Sequence, residues 1–327
     1  MSGIERSLVR VDNLVVIKEN ASRRDTPGDD PEMSGTRLVG PLDLTVKPGE
    51  ILGLLGESGS GKTLTLRALA GINPAGLHAY DQNGPYRPVY RSAMVFQDPM
   101  GYFNPRWRVR RSVAEVLRIV RGVSRRNVRF RTEELLRDVG LAVEDGSLFP
   151  FEMSGGMIQR AAIAIALAVD PHVLLADEAT SALDPTTRDR ILQLLCRVGR
   201  ERRAATVVVS HDVSSLAEVS DRVIILYAGQ SVEEGDPRRV LAQPRHRYTD
   251  LLVRSLPGDH TRGTILPEIP PEPFATGADV TERNRGCPFT GRCPRADERC
   301  RGITPEWRGN DAHRFRCHYP VEPGEQR

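Results

Sequence analysis

Eight consecutive residues carry the most specific chemistry in the sequence. Gly56, Glu57, Ser58, Gly59, Ser60, Gly61, Lys62 and Thr63 fit the pattern G-x-x-x-x-G-K-[ST]. In such a turn the backbone N–H groups converge on phosphate oxygens, and the positive end of the following helix adds to the attraction. Glycines let the main chain approach closely because they carry no Cβ. Lys62 would reach the β- and γ-phosphates of a nucleotide, and the Thr63 hydroxyl would ligate Mg²⁺. The chain holds only three lysines, Lys18, Lys47 and Lys62, among 46 basic residues. A pattern that demands lysine is therefore more informative here than a chance glycine turn.

A second constellation lies downstream. Val173 to Asp177 is an apolar run ending in an acid, and Glu178 follows directly. Asp177 stands where a Mg²⁺-holding carboxylate belongs at the carboxyl end of a strand. Glu178 could polarise an attacking water as general base. Taken alone, Asp-Glu after an apolar run reads equally well as a helix-capping pair; the upstream phosphate pattern shifts the weight.

These residues need elements to position them. Leu8 to Ile17, Leu42 to Val46 and Ile51 to Leu55 have strand character, and Gly61 to Ala70 has helical composition. Strand, glycine turn, helix is the order a phosphate-binding loop requires. Glu19 to Gly35 reads as a long surface loop. Ala93–Phe96, His172–Ala176, Thr206–Val209 and Val223–Tyr227 are further short strands. Helical patterns near Ser112–Arg121, Thr132–Val139, Gly156–Val169 and Thr186–Val198 separate them. Such alternation implies an α/β fold with a mainly parallel sheet covered on both faces. From about Pro257 proline becomes dense and four of the five cysteines follow, which places a domain boundary there.

Composition bounds the rest. Hydrophobic residues make up 39% and charged residues 27%, ordinary for a globular chain. The longest apolar stretch, Ala161 to Val169, is about half what a bilayer demands. Met1 to Arg10 lacks a signal core, so the expectation is a chain that neither spans a membrane nor is secreted. A net charge of +3 gives no support for nucleic-acid binding, and the arginines between Arg106 and Arg131 read as a solvated helical face.

The motifs in order resemble those of ATP-binding-cassette (ABC) ATPases. Ser154-Gly155-Gly156-Met157-Ile158-Gln159-Arg160 is similar to their signature, Gln97 in Phe96-Gln97-Asp98-Pro99 to their Q-loop, Ser181-Ala182-Leu183-Asp184 to their D-loop, and His211 to their switch histidine. The resemblance implies a P-loop NTPase cassette: a mainly parallel sheet core, an antiparallel β subdomain and a helical subdomain over about 98–165, within a nucleotide-binding domain of 1–256. A small cysteine-containing domain, 257–327, would follow. It also implies a head-to-tail dimer in which Ser154, Gly155, Gly156, Gln159 and Asp184 reach ATP held by the sister subunit. His211 would touch the γ-phosphate, and Gln97 would join Thr63 and Asp177 around Mg²⁺. Ser154 suits an N-cap, and its helix's free N–H groups suit an anion. Without the family, a single histidine after a strand is more often structural.

Ser-Gly-Gly-Met, Tyr227-Ala228-Gly229-Gln230, His246 to Leu252 and the cysteine tail resemble one of the two ATPases of dipeptide and oligopeptide permeases, a group that also includes importers of other solutes such as nickel. The implied role is ATP-driven import at the cytoplasmic face of the cell (inner) membrane. Two permease subunits, a second ATPase that is a different chain, and an extracytoplasmic solute-binding protein would be the partners, with no nucleic acid. The alternatives are a non-hydrolysing or regulatory cassette and a soluble ABC ATPase outside transport.

Cys287, Cys293, Cys300 and Cys317 follow C-x5-C-x6-C, sixteen residues, C. Three readings stay open: a [4Fe–4S] cluster, as some relatives are thought to carry, a zinc site drawing on His313 or His318, or unmetallated thiols. Cys196 reads as a core residue. One departure stands out, since no Phe, Trp or Tyr precedes Tyr80, and Ile17 or Lys18 falls where the family stacks adenine on an aromatic ring.

Overall fold

The computed structural model describes residues 9–19, 35–180, 183–256, 286–322 and 324–325. Its strands are β1 (Val9–Glu19), β2 (Gly35–Val46), β3 (Ile51–Leu55), β4 (Leu77–Asp81), β5 (Gly84–Pro85), β6 (Ser92–Val95), β7 (Val173–Asp177), β8 (Ala205–Val209), β9 (Arg222–Tyr227), β10 (Gln230–Gly235), β11 (Arg308–Asn310) and β12 (His313–Phe315). The helices are α1 (Lys62–Ala70), α2 (Val109–Ile119), α3 (Arg125–Asp138), α4 (Gly155–Ala168), α5 (Pro185–Glu201), α6 (Val213–Val219), α7 (Pro237–Ala242), α8 (Arg247–Arg254) and α9 (Glu298–Gly302).

The main sheet has the order β11-β12-β10-β9-β3-β8-β7-β6. Its centre, β9-β3-β8-β7-β6, is parallel. Strands β3, β7 and β8 are buried along their whole length, as expected when helices cover both faces. The two-residue period then sorts their side chains into two cores. Ile51, Leu55, Leu174 and Ala176 enter the one shared with α4 and α5, and Leu52, Leu54, Val173 and Leu175 enter the one shared with α1 and the second sheet. That second sheet, β2-β1-β4-β5, is antiparallel.

Beyond β6 the chain leaves the sheet for α2, α3 and α4. The exposed side of α3 carries Arg129–Glu133, Arg131–Glu134 and Arg137–Glu133 pairs at helical spacing, so this part of the arginine cluster is the solvated face expected. Helix α5 is set by Asp184, whose carboxylate accepts from the Thr187 N–H at 3.0 Å, and by Pro185 in its first turn. Cys196 is buried on its inner side. No helix among the described residues is long and apolar enough to cross a membrane.

The C-terminal segment differs from the expected separate domain. The boundary near 257 and the proline-rich stretch lie within 257–285, outside the described residues, as does most of the loop at 20–34. From Gly286 the chain comes back onto the cassette. Strand β12 pairs antiparallel with β10, and β11 with β12, which extends the main sheet. Phe289 is 1% exposed in the α4/α5 core, with its ring centroid 5.2 Å from Tyr227 and 5.5 Å from Tyr248. The fully buried Glu233 of β10 bolts the pieces together, because its carboxylate accepts from the backbone N–H groups of Arg245 and His246 at 2.8 Å and lies 2.6 Å from His313 Nε2.

If the tail is part of the core, Phe289→Ala should lower the free energy of unfolding by about 3–5 kcal/mol. Denaturant unfolding followed by fluorescence reads this directly, and an unchanged midpoint would mean that the tail packs loosely.

Candidate active site

Strand β3 ends at Leu55 and the chain turns at once. Gly56 has φ 150°, and a Cβ there would stand 2.2 Å from the Leu226 carbonyl oxygen, so only glycine fits between loop and sheet. Gly61, at φ 98°, caps α1 in a left-handed conformation and directs the first N–H groups of that helix into the loop. Ser58 and Gly59 are exposed at the tip, while Ser60 and Lys62 are buried. Lys62, only 4% exposed, folds its ammonium back onto the loop, donating to the carbonyls of Gly56 at 2.8 Å and Glu57 at 2.7 Å. Burial lowers its pKa, and the carboxylates of Glu178, Asp177 and Glu57 act in the opposite direction.

The parallel register brings the second constellation alongside. Thr63, at the start of α1, donates its hydroxyl to Asp177 Oδ1 at 2.8 Å. Burial raises the Asp177 pKa, relieved by the Thr63 hydrogen bond and aggravated by Glu178. A carboxylate held out of water beside a hydroxyl is one that a divalent cation would stabilise, so the donor set fits Mg²⁺. Gln97 lies just past the end of β6, the neighbour of β7, and is exposed. Its flanks are fixed by the Tyr102 hydroxyl, which donates to the Met94 carbonyl at 2.8 Å and accepts from the Phe96 N–H.

Glu178 has φ 50°, a strained conformation for a residue with a side chain, and its N–H donates to the Val209 carbonyl at 3.1 Å. Its Oε1 stands 2.6 Å from His211 Nε2. His211 follows β8 and sits on a turn tied by the Ser210 hydroxyl and the Asp212 cap of α6. Glu178 also lines an open cleft of about 220 Å³ together with Ser58, Gly59, Lys62, Thr63 and Leu38. Leu38, on β2, carries no signal in the sequence that would have found it. Ile17 is buried in β1 and Lys18 is exposed, so of the two only Lys18 is open to a base.

Ser154 caps α4, its hydroxyl accepting from the Met157 N–H at 3.4 Å, and with Gly155 it is exposed. A Cβ on Gly155 would meet Leu183 at 3.3 Å and one on Gly156 would meet Thr187 at 2.9 Å, so this turn packs beside Asp184. Neither it nor Asp184 lines the phosphate-loop cleft of its own chain. Gln159 departs from expectation: it is 2% exposed with its amide nitrogen unpartnered. Ser181 and Ala182 lie outside the described residues.

The four tail cysteines line one small pocket with His246 and Phe289. All are free thiols, and burial pushes each pKa up, that of Cys287 to about 12. Cys287 Sγ lies 3.7 Å from His246 Nε2. Among the described residues no three His, Cys, Asp or Glu side chains converge closely enough for a single ion. His313 is bound to Glu233 and His318 Nε2 lies 2.9 Å from the Ile303 carbonyl oxygen, which weighs against the zinc reading.

Residues 39–181 match the sequence pattern described as ABC transporter, and residues 232–300 the one described as oligopeptide/dipeptide transporter, C-terminal region. The dipeptide transport ATP-binding protein DppD of Escherichia coli (strain K12) is 35% identical over 312 residues, covering 89% of this chain and 93% of that one. The probable D,D-dipeptide transport ATP-binding protein DdpD of the same organism is 34% identical over 300 residues, 86% of this chain and 90% of that one. Among solved structures, an ATP-binding cassette described as a dimer in a post-hydrolysis state with ADP and Pi is 27% identical, with a TM-score of 0.54 over 71% of this chain and 99% of that one.

Backbone geometry at the loop makes a sharp contrast testable. Gly56→Ala should destabilise the chain by about 2–3 kcal/mol through its clash with the Leu226 carbonyl. Gly59→Ala, whose Cβ meets nothing within 4 Å, should cost about 1–2 kcal/mol from its left-handed φ alone. Equal losses in urea unfolding would contradict the geometry. By sequence and by fold, the chain belongs to the ABC transporter family of ATP-binding proteins.

Proposed function

We propose that this chain is the ATP-hydrolysing subunit of an importer for dipeptides, oligopeptides or a related small solute. It would work at the cytoplasmic face of the cell membrane beside two permease subunits and a second, different ATPase, with a solute-binding protein delivering cargo outside. The observation that carries the reading is one cleft lined by Lys62, Thr63 and Glu178, with Asp177 bonded to Thr63 and His211 against Glu178. The names of the relatives support the solute class.

In this reading Gly56 to Thr63 bind the phosphates. The Lys62 ammonium exchanges the Gly56 and Glu57 carbonyls for phosphate oxygens, an exchange its desolvated position favours. Thr63, Asp177 and Gln97 would hold Mg²⁺, which would offset charge on the phosphates. Glu178 takes a proton from water as the water attacks, and His211, 2.6 Å from its Oε1, orients that carboxylate and reaches the γ-phosphate. The helix end at Ser154, Gly155 and Gly156, with Asp184 beside it, would close over ATP held by the sister cassette. The dimer reported for a similar cassette supports that arrangement. Residues 1–256 would form the nucleotide-binding part, with about 98–165 as its helical subdomain, and 257–327 the cysteine-bearing part.

Cys287, Cys293, Cys300 and Cys317 line one pocket, and four thiols are the number that a [4Fe–4S] cluster takes. Such a cluster would cross-link four points of a short tail.

Glu178→Gln should cut ATP turnover of the assembled complex about 10²–10⁴-fold while nucleotide binding persists. Turnover at the wild-type rate would sink this assignment of the base. Anaerobically purified protein should contain iron and acid-labile sulfide, lost on Cys300→Ala; colourless, iron-free protein that folds normally would overturn the cluster.

A further inference from the structure

Glu57 is held at every polar group it owns. Its carbonyl accepts from Lys62 at 2.7 Å, and its N–H donates to the Tyr248 hydroxyl at 2.8 Å. Its carboxylate accepts twice from Arg292, Nη1 to Oε2 at 2.8 Å and Nη2 to Oε1 at 3.0 Å. Two of these partners come from the C-terminal third of the chain, 191 and 235 residues away.

This ion pair is unlike the surface pairs on α3. The Arg292 side chain is 5% exposed. Nη1 also donates to the Tyr227 hydroxyl at 3.1 Å, and the guanidinium lies 5.6 Å from the centroid of that ring. Burial works against its charge, and the bonds to Glu57 and Tyr227 overcome that. A forked, desolvated guanidinium fixes a carboxylate in direction as well as distance. Its own position is fixed by Phe289, three residues before it in the core, and by the turn Thr290–Arg292.

We propose that Arg292 is a positioning residue for ATP binding: it clamps Glu57 and so holds the phosphate loop in its binding conformation. The inference rests on reading Gly56 to Thr63 as the ATP site. A loop with glycines at φ 150°, 80° and 98° loses much freedom when it closes on phosphates. Fixing Glu57 in advance removes part of that cost. The C-terminal segment is thereby a working part of the nucleotide site.

The test is Mg-ATP titration of the purified full chain. Arg292→Ala should weaken binding about tenfold or more, the loss typical of a charge-assisted bond, and Arg292→Lys should recover part of it. Adding Glu57→Gln to Arg292→Ala should cause no further loss, because the two act as one unit. In the assembled complex KM for ATP should rise with kcat nearly unchanged. The unfolding midpoint without nucleotide separates this from a purely structural loss: a lowered midpoint with unchanged affinity overturns the proposal. Losses that add in the double variant overturn it as well. Lys62→Ala serves as the reference. If it loses binding while Arg292→Ala does not, the clamp fails and the ATP site stands; if Lys62→Ala binds normally, the site reading itself fails.

Discussion

A buried ammonium sets the terms for the rest of this molecule. Lys62 lies at the first turn of α1 with almost no solvent, supported by two carbonyls of its own loop. Keeping it there requires β3 to stop at Leu55, Gly56 to pass within reach of the Leu226 carbonyl, and Gly61 to reverse into the helix. It also requires negative charge nearby, which the parallel sheet supplies at the end of β7 in Asp177 and Glu178. A sheet with helices on both faces is what allows short, wholly apolar strands to end side by side in this way.

The helical excursion between β6 and β7 has a different logic. It packs the Ser154 turn beside Leu183 and Thr187, and that turn does not line the cleft at Lys62 of its own chain. The exposed turn at Ser154 and Gly155 leaves room for another molecule there. A second cassette is the natural candidate under the proposed function.

The C-terminal segment is bound to the cassette by three kinds of force. Sheet pairing joins β12 to β10, aromatic packing buries Phe289 against Tyr227 and Tyr248, and polar side-chain bonds join Glu233 to His313 and Glu57 to Arg292. The last of these reaches the phosphate loop itself. The cysteine pocket lies one residue further along the chain from that contact.

The sequence alone determined the central strands, the phosphate turn and the paired acids. Each is a local pattern: an apolar run of strand length, glycines with a lysine at fixed spacing, two acids at a strand end. Helix α5 was equally legible from the helical pattern near Thr186–Val198. What tertiary structure decided is everything that depends on residues far apart in the chain. The proline-rich change of texture suggested a separate domain, yet backbone pairing made the tail an extension of the sheet, and edge pairing leaves no local signature. Gln159 looked like part of an exposed motif, but the α-helical period turns it inward. Nothing near Arg292 in sequence points to Glu57, since a salt bridge across 235 residues exists only once the fold has closed that distance.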